Sequence, residues 1–236
     1  MADAGEAAKT VLIVGASRGL GHAMAAEFAN RGWNVIGTVR DTRAATPLRE
    51  LAEGSGDRVS MEQVDINETG QYAALRERLS HRELDILFVN AGTAGDVETT
   101  IGEVSTAEFI DIMVTNALSP LRFIEAFEDL VAPRGLIGAM SSGQGSITNN
   151  TTGFREVYRA SKAALNMLMR SFASRRSESA HPLILMAPGW IRTDLGGSDA
   201  PFTIEENVPK VVDVLVAKLD RPGLEYLDYS GKTVPW

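Results

Sequence analysis

A glycine-rich turn between a predicted strand and a predicted helix is the feature that most constrains the fold of this chain. Residues 10–14 (Thr-Val-Leu-Ile-Val) are β-branched or aliphatic, as in a buried parallel strand. Gly15, Gly19 and Gly21 follow at once, and residues 22–31 then show helical periodicity. Glycines in this context permit a tight turn and a close approach of the backbone to phosphate, and the N-terminus of the helix attracts negative charge. The segment therefore predicts a strand–turn–helix unit that binds the pyrophosphate of a dinucleotide.

Patterns typical of strands and helices alternate along the rest of the chain. Short apolar runs predict strands at residues 10–14, 33–39, 58–64, 84–89, 136–141, 183–187 and 225–229. Helical periodicity predicts helices at residues 22–31, 46–52, 68–80, 106–130, 154–176 and 204–219. We expect Pro120 to bend the helix that contains it, because proline lacks a backbone N–H. The alternation predicts an α/β fold, a Rossmann-type doubly wound parallel sheet of about seven strands with helices on both faces, in three α/β/α layers.

Length and composition are those of one globular domain. The chain has 236 residues, of which 44% are hydrophobic and 23% charged, and this suits a single domain spanning residues 1–236. Residues 1–9 carry acidic side chains and lack an apolar core, so they predict a mobile lead-in rather than a signal peptide. Because no apolar run is long enough to span a membrane, we expect a cytoplasmic protein.

Charge and residue usage exclude several classes of partner. The net charge of −8 argues against a surface for nucleic acid. The absence of cysteine excludes disulfides, thiolate catalysis and cysteine–metal sites. His22, His81 and His181 are far apart and lack the spacing of metal ligands, so no metal site is predicted. The expected partner is a small molecule, with no nucleic acid and no membrane.

Tyr158 and Lys162 are the candidates for a catalytic pair. They lie four residues apart in a predicted helix, so their side chains share one helical face. A tyrosine phenol has a pKa of about 10, and a cation about 4 Å away would lower that pKa by about 3 at an effective dielectric constant of about 20. The pair would then suit proton exchange with an alcohol or carbonyl. A surface tyrosine beside a solvated lysine can show the same spacing, so the prediction depends on the other motifs.

Six motifs occur together in an order that is typical of one protein family. They are Gly15-x-x-x-Gly19-x-Gly21, Asn90-Ala91-Gly92, Asn116, Ser141-Ser142, Tyr158-x-x-x-Lys162 and Pro188-Gly189-Trp190-Ile191-Arg192-Thr193. This pattern, which runs from residue 10 to about residue 195, closely resembles the single-domain short-chain dehydrogenase/reductase superfamily. The remaining segment, from Thr193 to Trp236, resembles a smaller subgroup that holds short carbonyl reductases and C-factor-like signalling proteins.

The resemblance implies a role for each catalytic motif. Tyr158 would be the general acid in reduction and the base in oxidation, and Lys162 would lower its pKa and hold the nicotinamide ribose. Ser142 would hydrogen-bond the substrate oxygen. Family members usually have a glycine three residues after this serine, as Gly145 is here, and this favours Ser142 over the alternative, Ser141. Asn116 would anchor a water in the proton path, or alternatively satisfy the helix backbone at a bend.

The end of the second predicted strand indicates which dinucleotide is preferred. NAD-selective sites place a carboxylate there to bind the ribose 2′-hydroxyl, whereas this chain has Val39 followed by Arg40. Arg40 and Arg18 would suit a 2′-phosphate, so NADP(H) is expected, with NAD(H) bound through Asp41 as the alternative. The residues expected to bind the cofactor are Gly15, Ser17, Arg18, Gly19, Leu20, Gly21, Arg40, Asp65, Ile66, Asn90, Ala91, Gly92, Tyr158, Lys162, Pro188, Gly189, Ile191 and Thr193.

Two segments near the predicted site bear on the substrate. The polar loop at residues 146–153 is longer than in many family members and should border the substrate. The segment between Thr193 and Ile204, where many relatives carry a longer lid, is short here. A short lid predicts an open pocket that tolerates varied or bulky carbonyls. Trp190 would be either a wall of this pocket or part of the core.

The resulting hypothesis is an NADPH-dependent reductase of a ketone or aldehyde. The alternative is an NAD(P)-binding signalling or sensor protein of the C-factor type with little turnover, which would need the glycine turn but not the catalytic motifs. Dehydratase or epimerase chemistry is disfavoured, because such relatives are expected to need a larger substrate domain. We also expect a homodimer or homotetramer, in which the helices predicted at residues 106–130 and 154–176 could form a two-fold bundle.

Overall fold

The computed structural model describes residues 8–96 and 99–236, and the strands in these residues form one parallel sheet. They are β1 (Thr10–Val14), β2 (Asn34–Val39), β3 (Val59–Gln63), β4 (Leu84–Val89), β5 (Val131–Met140), β6 (Pro182–Ala187) and β7 (Gly223–Asp228). Their order across the sheet is β3-β2-β1-β4-β5-β6-β7, with every neighbouring pair parallel. The predicted fold class, a doubly wound parallel sheet, is confirmed.

Helices cover both faces of this sheet. They are α1 (Gly19–Asn30), α2 (Pro47–Gly54), α3 (Tyr72–Leu79), α4 (Thr106–Met113), α5 (Ser119–Phe127), α6 (Glu156–Arg175) and α7 (Ile204–Lys218). Leu12 and Val14 of β1 belong to one core, together with α3, α5 and α6. Val11 and Ile13 belong to a second core, together with α1, α2 and α7. Successive strand residues face opposite sides of the sheet, so β1 must be apolar on both sides, as its sequence indicated.

The change of direction beside β1 positions the site. From β1 the chain builds β2 and β3 on one side of the sheet and then crosses to β4 on the other side. The loops after β1 and β4 therefore diverge, and sheets of this kind bind ligands in the crevice between such loops. Asn90 N and Ala91 N both donate to Val14 O at 2.9 Å, which fixes the end of β4 against the end of β1 at this crevice.

The helix predicted at residues 106–130 changes type in its middle. A π-helical turn, Val114–Leu118, joins α4 to α5. Pro120 has no N–H to donate to the carbonyl of Asn116, four residues earlier, so the regular α-helical pattern cannot continue through this point. The structure therefore shows a wider helical turn where a bend was expected.

Several element boundaries differ by a few residues from those predicted, and the start of β5 differs most. β5 begins at Val131 rather than at residue 136, because residues 132–135, which include a proline and a glycine, continue the strand through an irregular register opposite Leu84 and Ile86. Ala8 and Lys9 were predicted to belong to a mobile lead-in, but both carbonyls accept hydrogen bonds from Asn34. The rest of that predicted lead-in, residues 1–7, lies outside the described residues.

Residues 8–96 and 99–236 contain neither a helix suited to cross a membrane nor a cluster of potential metal ligands. None of the helices there has the length and apolar character needed to cross a membrane. No group of three or more histidine, aspartate or glutamate side chains in the same residues is arranged to hold a metal ion.

Candidate active site

The glycine turn after β1 is packed so closely that side chains do not fit at two positions. A Cβ on Gly21 would lie 2.1 Å from Gly15 O, and a Cβ on Gly15 would lie 2.8 Å from Cα of Ala91. Thr38 of β2 accepts a hydrogen bond from Gly15 N at 2.9 Å, and Asn90 Nδ2 donates to Gly15 O at 2.8 Å. The turn is thus held from both neighbouring strands. Thr38 was not predicted, because a threonine in a strand carries no distinguishing pattern.

The N-terminus of α1 offers free backbone donors beside this turn. Arg18 occupies the N-cap position, but its side chain makes no capping hydrogen bond. A Cβ at Gly19 would meet nothing within 4 Å, so the approach to the helix end is open. The first N–H groups of a helix have no partner inside the helix, and the dipole is positive there. Gly19, Leu20 and Gly21, which follow Ser17 and Arg18, therefore present the donors that phosphate requires.

The groups predicted to select the cofactor lie at the mouth of the crevice. Arg40 is exposed directly after β2. Asp41 accepts hydrogen bonds from Arg43 N at 2.9 Å and from Arg43 Nε at 3.2 Å, and these bonds lower the pKa of Asp41. Arg18 lies 3.5 Å from Asp194, but both side chains are exposed, and such a surface pair contributes little. The guanidinium groups are therefore available to an anion, whereas the carboxylate of Asp41 is held within its own loop.

The residues predicted after β3 and β4 lie at the same edge. Asp65 accepts a hydrogen bond from Asn67 N at 2.9 Å and closes a local turn. The side chain of Ile66 is buried in the core, so only its main chain could touch a cofactor. A Cβ at Gly92 would lie 3.4 Å from Lys162 Nζ. The turn after β4 therefore connects the crevice to the residues on α6.

The loop after β6 closes the other side of the crevice. Pro188 O accepts a hydrogen bond from Asn207 of α7, and Gly189 has a φ of 87°, which favours glycine. Between this loop and the glycine turn lies a cleft of about 460 Å³. It is lined by Arg18, Gly19, Arg192, Thr193, Asp194, Gly197, Ser198 and Ile204.

The short segment that follows this loop is closed on itself. Ile191 is buried and forms a β-bridge with Phe202, which pins both ends of the segment. Thr193 Oγ1 accepts a hydrogen bond from Gly196 N at 3.0 Å. Trp190 is 51% exposed and donates to Gly196 O at 2.7 Å, so it does not belong to the core. The segment is therefore a compact loop beside the cleft.

Tyr158 and Lys162 of α6 are buried against the end of β5. Lys162 Nζ donates to Met140 O at 2.9 Å and lies 5.8 Å from the centroid of the Tyr158 ring. Burial lowers the pKa of Lys162 to about 8. Burial also raises the pKa of Tyr158, an effect that a hydrogen bond with Ser142 and the charge of Arg155 oppose. The prediction that Lys162 lowers the pKa of Tyr158 was therefore wrong. The Lys162 ammonium donates to Met140 O instead, and the cost of burying a phenolate dominates the pKa of Tyr158.

Of the two serines after β5, Ser142 is the one that faces Tyr158. The Ser142 hydroxyl is within hydrogen-bonding reach of the Tyr158 phenol. The Ser141 hydroxyl donates instead to Asn166 Oδ1 at 2.6 Å in the interior. Tyr226 of β7 donates to the main-chain oxygen of Ser142. Asn166 and Tyr226 were not predicted, since neither belongs to a recognisable motif, yet they hold the main chain that carries Ser142.

Asn116, in the π-helical turn, joins three parts of the structure through its fully buried side chain. Its Oδ1 accepts a hydrogen bond from Thr93 N at 2.8 Å. Its Nδ2 donates to Thr93 O at 2.7 Å and to Ser161 Oγ at 2.9 Å. Both amide donors are therefore used to tie the loop after β4 to α6. The alternative expectation, that this side chain satisfies a helix backbone at a bend, does not describe these contacts.

Comparison with known proteins places this site in a family. The chain matches the short chain dehydrogenase family over residues 9–202. A short-chain dehydrogenase/reductase from Burkholderia multivorans, solved with bound NADP, is 60% identical, with a TM-score of 0.95 over 97% of this chain and 100% of its own. A carbonyl reductase from Pseudomonas aeruginosa PAO1 in complex with NADP is 34% identical, with a TM-score of 0.91 over 98% of this chain and 100% of its own. The C-signal of Myxococcus xanthus is 34% identical over 155 residues, which are 65% of this chain and 93% of the relative.

The fold and the site together define an NAD(P)-dependent oxidoreductase that acts on CH–OH and C=O groups. The chain belongs to the short-chain dehydrogenase/reductase family. The resemblance inferred from the six ordered motifs is thereby confirmed, and the C-signal is among the relatives.

Proposed function

We propose that this protein uses NADPH to reduce a ketone or aldehyde carbonyl to an alcohol. The observation that carries the proposal is the convergence of Tyr158, Ser142 and Lys162 beside the crevice of the glycine turn. A protein that only bound a dinucleotide would have no use for a buried phenol and ammonium at this edge. The relative from Pseudomonas aeruginosa, a carbonyl reductase, supports the same reaction.

The residues around the crevice fit NADP(H). The uncapped N–H groups of α1 suit a pyrophosphate, and the close packing of the glycine turn leaves room for it. Arg40 and Arg18 suit the 2′-phosphate through planar, bidentate contacts, while Asp41 is engaged by Arg43. The NADP bound to two relatives supports this choice. When bound, NADPH supplies the hydride that reduces the carbonyl carbon.

Tyr158 is the proposed proton donor. The phenol, whose pKa burial raises, is protonated at neutral pH and therefore holds the proton that reduction requires. Ser142 Oγ would donate a hydrogen bond to the carbonyl oxygen and stabilise the negative charge that develops there. Tyr158 would then give its proton to the same oxygen.

Lys162 and Asn116 are proposed to support this centre. Lys162 would hold the nicotinamide ribose, since its ammonium lies beside the turn at Gly92. Both amide donors of Asn116 are occupied, so its main-chain carbonyl, left without its usual helical donor by Pro120, would anchor a water in the proton path.

NADPH affinity is expected to fall as the pH rises above about 8. Lys162 has a pKa of about 8 in the free protein, so the ammonium that would bind the ribose is progressively lost above that pH. Lys162→Met should bind NADPH more weakly at pH 7 and should lose this pH dependence. Fluorescence titration of NADPH between pH 6.5 and 9.5 measures both effects. An unchanged pH dependence in Lys162→Met would assign the titration to another group.

Tyr226→Phe is expected to lower kcat by about three- to tenfold without changing NADPH affinity. The substitution removes the hydroxyl that donates to Ser142 O and leaves this oxygen with only its hydrogen bond from Gly145 N, at a cost of about 0.5–1.5 kcal/mol. Tyr229→Phe is the control, because the Tyr229 ring packs on Phe202 and the hydroxyl that donates to Ser142 O is that of Tyr226. Steady-state kinetics and urea unfolding measure the two effects. Equal losses of kcat in both variants would contradict a specific role for Tyr226.

A panel of carbonyl compounds tests the proposed function. Aromatic and aliphatic aldehydes, cyclic ketones, quinones and oxo esters would be assayed by NADPH oxidation, and the alcohol product identified by mass spectrometry. Tyr158→Phe serves as the matched blank, because it keeps the ring and lacks the acidic proton. The proposal requires turnover that depends on Tyr158 with at least one class of carbonyl. Equal background rates in both proteins across the panel would refute it.

A signalling or sensor role is the second candidate, and the similarity to the C-signal of Myxococcus xanthus favours it. Such a protein would bind the dinucleotide and change its contacts with a partner, with little turnover. Tight NADPH binding without any turnover dependent on Tyr158 would support this role over the reductase.

A further inference from the structure

Arg155, directly before α6, has a backbone conformation that side chains rarely adopt. Its φ and ψ are 61° and 48°, in the left-handed region. It is the one non-glycine residue with positive φ among the residues that the structure describes. A long side chain such as arginine has no local hydrogen bond that favours this conformation. Strained residues of this kind cluster at ligand sites, which makes Arg155 a candidate ligand-binding residue.

The guanidinium group of Arg155 is incompletely satisfied by the protein. Its Nε is buried without a hydrogen-bond partner. The group lies over the ring of Phe154, with its central carbon 5.8 Å from the ring centroid. Within the described part of the chain Arg155 forms no ion pair, whereas Arg175, at the other end of α6, pairs with Glu125. Because an unpaired buried donor is unfavourable, an acceptor from outside the chain would stabilise Arg155.

Arg155 stands beside the proposed reaction centre. It lies three residues before Tyr158 in the sequence, at the N-cap position of α6. Burial raises the pKa of Tyr158, and the charge of Arg155 is close enough to oppose that rise. The turn that carries Ser142 holds another unpartnered buried atom, Oε1 of Gln144. Unsatisfied buried polar atoms therefore occur both in the segment that follows Ser142 and in the segment that precedes Tyr158.

We propose that Arg155 binds a carboxylate of the substrate, so that the substrate class is an oxo acid, a ketone or aldehyde that also carries a carboxylate. This inference rests on the proposed reductase function and names the substrate class of the same site. A planar guanidinium matches the two oxygens of a carboxylate. With the carboxylate held at Arg155, the carbonyl at the other end of the substrate would be oriented toward Tyr158 and Ser142, which raises the rate through positioning.

Paired substrates test this inference. Straight-chain methyl-ketone acids with one to four methylene groups between the carbonyl and the carboxylate would be compared with their methyl esters, at pH 7 with saturating NADPH. The two members of a pair differ in charge but present the same carbonyl. We expect at least one acid to exceed its ester by about tenfold or more in kcat/KM, the range of a charge-assisted contact.

Three variants assign that preference to Arg155. Arg155→Asn removes the charge but tolerates the left-handed backbone, and it should reduce the ratio of acid to ester kcat/KM by about tenfold or more. Arg155→Gly tolerates the same backbone and should reduce the ratio equally, so it replaces Arg155→Asn if that variant folds poorly. Arg175→Asn removes one positive charge from the far end of α6 and should leave the ratio unchanged. NADPH binding and thermal melting confirm that each variant is folded.

Each outcome separates this inference from the reductase function. A wild-type enzyme that uses every ester as well as its acid overturns the inference, and so does a ratio that Arg155→Asn and Arg155→Gly leave unchanged. Turnover of neutral carbonyls without turnover of any oxo acid overturns it too, while the reductase function stands. Absence of turnover with every carbonyl overturns both.

Discussion

Tyr158→Phe is expected to lower kcat by about 10²- to 10⁴-fold while NADPH still binds, since general acid catalysis is typically worth that much. The substitution keeps the aromatic ring and its packing in the buried pocket and removes only the proton that the phenol would donate. Steady-state kinetics on any substrate found in the carbonyl panel, with NADPH affinity measured by fluorescence, would show the effect. Retention of more than about a tenth of the wild-type rate would contradict Tyr158 as the acid.

Tyr72→Phe provides a matched control for this substitution. Tyr72 is also buried, and its hydroxyl donates to Ile66 O at 2.6 Å in the core between α3 and α5. Loss of this hydroxyl should reduce the free energy of unfolding by about 0.5–1.5 kcal/mol. Because Ile66 is expected to bind the cofactor through its main chain, the two variants are compared at saturating NADPH, where kcat of Tyr72→Phe should change little. A comparable loss of kcat in both variants would indicate general damage to the fold rather than removal of a catalytic proton.

Arg40→Asp is expected to shift cofactor preference from NADPH toward NADH by about tenfold to 10³-fold in kcat/KM. The exposed Arg40 would contact the 2′-phosphate, and a charge-assisted contact is worth about 1.5–3 kcal/mol. An aspartate at the same place would repel the phosphate and accept a hydrogen bond from the free 2′-hydroxyl of NADH. Both changes act in the same direction. The measurement is kcat/KM with each cofactor for the wild type and the variant.

Arg18→Ala is the companion variant for cofactor choice. It should weaken the use of NADPH without improving the use of NADH, because it removes a phosphate contact and adds nothing for a hydroxyl. A wild-type enzyme that already prefers NADH would refute the assignment of Arg40. Asp41, released from Arg43, would then become the ribose ligand.

Most of the fold could be predicted because its strands are encoded locally. β1 and β4 begin and end where the apolar runs predicted, since a strand buried on both faces must be apolar at every position. The predicted start of β5 was wrong, because residues 132–135 resemble a turn in sequence and become part of the strand only through the pairing of β5 with β4. Pro120 was predicted to bend its helix, and the structure has a π-helical turn, Val114–Leu118, shortly before it.

The candidate site was predictable where chemistry requires particular residues at particular spacings. The spacing that favoured Ser142 has a steric cause, because a Cβ at Gly145 would lie 3.0 Å from Lys162 Cβ. The pKa of Tyr158 could not be predicted, because its direction depends on burial and on where the Lys162 ammonium points. The hydrogen bonds of Thr38 to Gly15 and of Tyr226 to Ser142 could not be predicted either, because each joins residues that are distant in sequence.

The residues after β7 cover part of the outer edge of this strand, which is the last strand of the sheet. The chain turns back so that Asp228 N donates to Lys232 O and Val234 N donates to Tyr226 O, each at 2.8 Å. These bonds place the protein's own backbone along the outer edge of β7. An exposed edge strand invites pairing with another chain and is a starting point for aggregation. Along residues 226–228 the outer backbone groups are already hydrogen-bonded to residues 232–234. A second copy of this protein therefore cannot extend the sheet by pairing with these residues, and assembly would use other surfaces.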